Sequence, residues 1–338
     1  MNWRIKGIVQ KVLSTTPGGA RINDILQRTA GGLRHIDAAV DSKVVDDWVV
    51  LARQLGELNV RMPGAMLVEV GTGWFPVLPL CFALAGARTC HTFDVNRHLD
   101  LRLTRRAIAR LKMHLSRIAD TAGVSLDEVQ RRYQDLSSAP DVLTALARAG
   151  VRYHAPADAA QTGLGNQEVD AVFSNSVLEH VPSRDITALL RETARILKPD
   201  GVSLHSANCG DHYVYFDRSI TAINYLKYSE RQWTRWNNRL LYQNRLRPID
   251  LLGLAEDAGL QIVLSRFAPK EQLLRILPTL GVADQFTTYA PEQLCATSID
   301  FAGRPRPRRG DPEAAAGAST NARSHSPRSA APSSGVSS

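Results

Sequence analysis

The run Met66-Leu-Val-Glu-Val70, closed by Gly71-Thr-Gly73, constrains this chain more than any other feature. A short apolar strand ends on two glycines one residue apart. A helix is predicted over 76–85, with Pro76 in its first turn, where a missing N–H costs nothing. Thr89–Val95 then reads as a second strand. Strand, tight loop, helix and strand in this order predict a parallel sheet with helices on its faces. The glycines let the backbone pass close to a ligand with no Cβ in the way. Asp94 lies 23 residues beyond Gly71, at the end of the second strand. An acid there can accept hydrogen bonds from ribose hydroxyls in the crevice beyond the carboxyl ends of the strands.

Two other nucleotide loops are excluded. The third position of a dinucleotide fingerprint falls on Pro76, where Gly is needed, and no Gly-Lys-Ser/Thr follows as in a P-loop. Further strands are predicted at 151–155, 169–174, 202–206 and 260–266, with a last candidate at Leu294–Phe301. An amphipathic helix over 184–197 is stopped by Lys198-Pro-Asp-Gly201. Residues 97–150 are too long for a simple crossover and read as a helical insertion with basic outer faces.

Val169-Asp-Ala-Val-Phe-Ser-Asn-Ser-Val-Leu-Glu-His-Val181, followed by Ala194-Arg-Ile-Leu-Lys-Pro-Asp-Gly201, completes a pattern running from about 65 to 265. In this order the motifs resemble the class I S-adenosylmethionine-dependent methyltransferases. The resemblance implies an α/β, Rossmann-like doubly wound, mostly parallel seven-stranded sheet, with S-adenosyl-L-methionine as cofactor. It implies that Glu69, Gly71, Thr72 and Gly73 border the methionine end, that Asp94 holds the ribose diol with Val95 beside the adenine, and that Asp158 faces the adenine amino group. Ser174 and Asn175 are expected to line the donor side, and His180 to be a packing residue. The chain departs from the family pattern at its third glycine, where Phe75 stands.

The loop after the fifth strand, Asn208-Cys-Gly-Asp-His-Tyr-Val-Tyr-Phe-Asp-Arg218, crowds an acid, a histidine and aromatics beside that crevice. Asn224–Ser229 and Trp233–Arg247 add aromatic, amide and arginine groups suited to a polar acceptor. This arrangement resembles a branch of bacterial methyltransferases associated with glycans and surface polysaccharides. The expected reaction is O-methyl transfer to a small-molecule or glycan-type acceptor. His212 is the expected general base, because histidine titrates near neutrality, with Asp211 beside it in sequence. The alternatives are an RNA or protein methyltransferase using the basic insertion, and a non-catalytic module that binds the cofactor.

Charge and cysteines bear on partners. The net charge is +8, and from Gly303 to Ser338 six arginines face only Asp311 and Glu313. No basic stripe interleaved with aromatics appears, so no nucleic-acid partner is expected. Cys81, Cys90, Cys209 and Cys295 form no CxxC pair or Cys/His cluster, so no metal ligands are assigned and a reducing, cytoplasmic setting is expected. No apolar run reaches the length of a transmembrane span. Ile5, Ile8, Val9, Val12 and Leu13 share one helical face, expected to pack on the domain, with peripheral membrane contact through 1–14 as the alternative. The chain thus divides into a helical extension (1–60), a methyltransferase domain (61–302) and a basic tail (303–338) expected to be disordered for want of large apolar residues.

Overall fold

The computed structural model describes residues 2–16, 18–19 and 35–307. Gly31–Gly32 and the tail beyond 307 lie outside the described residues.

Seven strands form one sheet in the order β3-β2-β1-β4-β5-β7-β6. They are β1 (Met66–Val70), β2 (Thr89–Phe93), β3 (Val151–His154), β4 (Val169–Asn175), β5 (Leu197–Asn208), β6 (Leu260–Arg266) and β7 (Ser298–Pro305). The contacts β1–β2, β2–β3, β1–β4 and β4–β5 are parallel, while β7 runs antiparallel to both β5 and β6. The central strands read as apolar runs because helices cover both faces. The order reverses between β1 and β4, so the crevice lies where their carboxyl ends part.

Two apolar clusters flank the sheet. One joins Leu67, Phe82 and Phe173 to Trp48 and Leu55 of the N-terminal helices and to Ile108, Leu111 and Ile118 of the insertion. The other joins Val68, Val172 and Leu178 to Leu190 and Leu251. The insertion forms helices over Leu101–Leu111, Leu115–Ala122, Leu126–Ser137 and Val142–Arg148. Several of its basic groups are paired: Arg110 with Asp41 at 2.6 Å, Arg106 with Asp37 at 3.3 Å, and Arg132 with Glu128 at 3.4 Å.

Several boundaries shift from the sequence reading. Lys198–Gly201 loop out within β5, since Leu197 pairs with Val169 and Val202 with Ala171. The apolar residues at Leu294 and Cys295 belong to a short helix, Pro291–Cys295, and the last strand begins only at Ser298. β7 continues to Pro305, so a tail boundary at 303 cuts through a paired strand. Among the described residues no helix is long and apolar enough to cross a membrane.

The N-terminal helix, Trp3–Thr15, packs through the face opposite to the one expected. Trp3, Gly7 and Gln10 are buried, while Ile5, Ile8, Val9 and Val12 are exposed. The reason is the aromatic segment beneath it. The Trp3 ring sits 5.1 Å from that of Tyr213 and 5.0 Å from that of Trp236. A Cβ on Gly7 would lie 3.0 Å from the Tyr213 hydroxyl oxygen and 3.3 Å from the Trp236 ring, so a larger residue there would make these neighbours give way by a few tenths of an ångström.

Candidate functional site

The glycine loop and the end of β2 are tied together. Asp94 accepts from the amides of Gly73 (3.1 Å) and Asn96 (2.9 Å), one on each carboxylate oxygen. Each oxygen keeps a second lone pair, so the carboxylate can still receive ribose hydroxyls. Val95 beside it is 66% exposed, free to lie along a flat base. The Asp94 carbonyl accepts from the Ala157 amide at 2.9 Å, which brings Asp158 alongside. Asp158 is exposed and folds onto the Ala160 amide at 2.8 Å.

Gly71 and Gly73 have different tasks. Gly71 holds φ +89°, and a Cβ there would fall 2.4 Å from a Val177 methyl. That contact locks the β1 loop against the β4 loop. Gly73 holds φ +67° with open space around it, the free side of the cradle. Phe75, at the missing third glycine, is buried in the first apolar cluster, so the chain turns inward there.

Beneath the loop, Thr92 donates to Glu69 at 2.5 Å and shares a 2.5 Å contact with the Thr72 hydroxyl. Burial pushes the Glu69 carboxyl up to about 7; the Thr92 hydrogen bond opposes this. Glu69 and Thr72 therefore act on the floor of the loop. Ser174 departs from expectation. It is fully buried, and its hydroxyl lies 2.7 Å from His205 Nδ1, whose other ring nitrogen meets Ser203 at 2.7 Å. Its side chain is used up between strands and does not line the cavity beyond β4, whereas Asn175 and Ser176 do.

A cavity of about 320 Å³ opens beyond β4 and β5, lined among others by Asp47, Asn175, Ser176, Asn208, Asp211 and Lys270. Ser176 holds φ +54°, an uncommon conformation for a non-glycine residue, at the turn leaving β4. Asp47 comes from the N-terminal extension, on a wide π-type turn, Lys43–Trp48, and pairs with Lys43 at 3.5 Å. Such turns often mark functional positions. Burial raises its carboxyl above the usual range, with Lys43 and Asn175 pulling the other way. No local pattern signals Asp47 or Lys270, because only the tertiary fold brings them here.

Asp211 lines this cavity but His212 does not. Asp211 accepts from the Tyr213 amide at 2.9 Å and from the Asn224 side chain at 3.2 Å. Burial pushes its carboxyl up to about 6. His212 is 8% exposed and turns toward Glu179 and His180. Burial, and secondarily the nearby His180, lower it to about 4, too weak a base to match the neutral-pH role expected of it. His180, expected to pack, is exposed.

Residues 111–204 match the family described as a methyltransferase domain. That stretch is similar to a methyltransferase domain. The match begins after the glycine loop and takes in β3, β4 and most of β5. The cofactor that this match and the fold imply is S-adenosylmethionine, which supplies an activated methyl on its sulfonium. The residues fit it: an open glycine cradle, the Asp94 carboxylate with free lone pairs, and exposed Val95 and Asp158 beyond. Similar solved structures include an S-adenosylmethionine-dependent methyltransferase from Mesorhizobium loti, with 15% identity, TM-score 0.41, and 74% of this chain and 95% of that one covered. Another is a methyltransferase of the same cofactor class from Methanosarcina mazei, with 12% identity, TM-score 0.41, and 74% and 96% covered. A third is the YcgJ protein from Bacillus subtilis, with 13% identity, TM-score 0.39, and 76% and 99% covered. None of the curated proteins compared matches this chain significantly.

Proposed function

We infer that the protein transfers a methyl group from S-adenosylmethionine to a hydroxyl of a small, polar acceptor, of the glycan type, seated in the cavity beyond β4 and β5. The observation that carries this reading is the lining of that cavity. Carboxylates, amides, hydroxyls and one lysine surround it, and it adjoins the cofactor loop through the Gly71–Val177 contact. Such groups suit an acceptor with several hydroxyls.

The chain's part in the reaction is alignment and proton removal. Glu69, Gly71, Thr72 and Gly73 shape the methionine end, Asp94 and Val95 hold the ribose and adenine, and Asp158 reaches the adenine edge. Asn175 and Asp47 orient the acceptor. Asp211 takes the acceptor proton. Its raised carboxyl, at about 6, is ionised at neutral pH yet more basic than an ordinary carboxylate. The pairing of insertion arginines with Asp37, Asp41 and Glu128 favours this small acceptor over RNA. The outward stripe of Ile5, Ile8, Val9 and Val12 supports peripheral membrane contact by the N-terminal helix. Co-sedimentation with anionic vesicles, lost in Ile8→Asp, checks that point; equal sedimentation of both proteins would remove it.

The test of the main reading is transfer of tritiated methyl to fractionated cell extract. A small, polar methylated product is expected. Asp211→Asn should lower turnover roughly 10²–10⁴-fold with cofactor affinity and melting temperature kept, and abolish a pH limb near 6. Label entering RNA or protein, or a limb that survives in Asp211→Asn, would contradict it.

A further inference from the structure

We propose that Glu179, His180 and His212 form a binding site for a divalent first-row transition-metal ion beside the acceptor cavity. Glu179 and His180 sit on the single turn after β4, Leu178–His180, and His212 opens the turn after β5, His212–Tyr215. One ligand atom from each lies within 4.8 Å of the others. An ion about 2.1 Å from each ligand holds them roughly 3–4 Å apart, so a small rotation of the exposed His180 closes the set.

Three further observations point to a cation. Glu179 is 3% exposed, and no side chain or well-aligned donor pairs with either carboxylate oxygen; only the backbone amides of Glu179 and Asn208 lie nearby. A buried carboxylate left this way is costly unless a cation faces it. His212 Nε2 is likewise buried with no partner. His180 Nδ1 lies 2.7 Å from the Tyr242 carbonyl, which can only accept, so Nδ1 carries the proton and Nε2 is left as the ligand atom. Ligating histidines are commonly oriented by such a bond.

The supporting residues are consecutive. Beside Tyr242, the Gln243 side chain accepts from the His212 amide at 3.1 Å and donates to the Gly210 carbonyl at 2.5 Å. Asn244 donates its amide to the Glu179 carbonyl at 2.8 Å and its side chain to the carbonyls of Leu178 and Val181. Residues 242–244 thus fix both turns that carry the ligands. Two neutral imidazoles and one carboxylate suit zinc, cobalt, nickel or manganese. Exposure on the His180 side leaves coordination positions for water or for an acceptor oxygen. Gly210, Asp211, Val214 and Tyr215, which line the cavity, surround His212 in sequence.

The test is titration of the dialysed full chain with Co²⁺ and Zn²⁺, followed by calorimetry and by the visible absorption of bound cobalt. The expected result is about one ion per chain. Binding should be lost in His180→Ala, whose exposed side chain can be removed without opening the core, and in Glu179→Gln. It should weaken about 10–100-fold in Gln243→Ala, which removes only support. His154→Ala is the control, because the His91–His154 pair, 3.0 Å apart, is the competing imidazole site. No binding at millimolar ion, binding unchanged in folded His180→Ala and Glu179→Gln, or binding lost in His154→Ala would each overturn the proposal. The readout is metal affinity, so it stands or falls apart from the methyl-transfer reading.

Discussion

Asp94 Oδ2 accepts from the Gly73 amide at 3.1 Å, which makes the acid at the end of β2 part of the glycine loop it is meant to serve. Asp94→Ala therefore removes both the proposed ribose acceptor and a loop tether. Charge-assisted hydrogen bonds contribute about 1.5–3 kcal/mol, so affinity for S-adenosylhomocysteine should fall roughly ten- to a hundredfold by calorimetry. Asp94→Asn should recover part of it. Unchanged affinity in a folded Asp94→Ala protein would show that the ribose is held elsewhere.

Gly71 is constrained twice, by φ +89° and by Val177. Gly71→Ala should destabilise the protein by about 1–3 kcal/mol from backbone strain, with the Val177 overlap adding to it. Adding Val177→Ala should return the overlap part and leave the strain. Urea denaturation of the two single variants and the double variant measures this coupling. Strict additivity would mean the two loops do not bear on each other.

His205 offers a test in pH. Burial lowers its folded value to about 3, against an ordinary 6.5. The unfolded chain then binds the proton more readily, so the neutral buried ring stabilises the fold above pH 6.5. That stability is lost as pH falls from 6.5 toward 3, at up to about 1.4 kcal/mol per pH unit. A His205→Leu protein should lose less stability than the wild type across this window. Parallel curves would show that His205 does not carry the effect.

How far the sequence reveals this molecule depends on how local each relation is. The β1 loop and Asp94 are legible because one strand–loop–helix–strand unit contains them. Ser174 misleads because its direction is set by the register of β4 on β5, where it faces His205. The apolar stripe at Ile5, Ile8, Val9 and Val12 misleads because Trp3 and Gly7 dominate the packing, one by ring contacts and one by the absence of a side chain. Leu294 and Cys295 carry the apolar signal of a strand, yet Pro291 opens a short helix there. Asp47 and the meeting of Glu179 with His212 depend on contacts between distant segments, which no local pattern encodes.

Calorimetric titration of the purified chain with S-adenosylhomocysteine and, separately, with NAD tests the cofactor assignment most directly. Binding of S-adenosylhomocysteine at about one molecule per chain, weakened in Asp94→Ala, with no heat from NAD, is the predicted result. Binding of NAD without S-adenosylhomocysteine would contradict it.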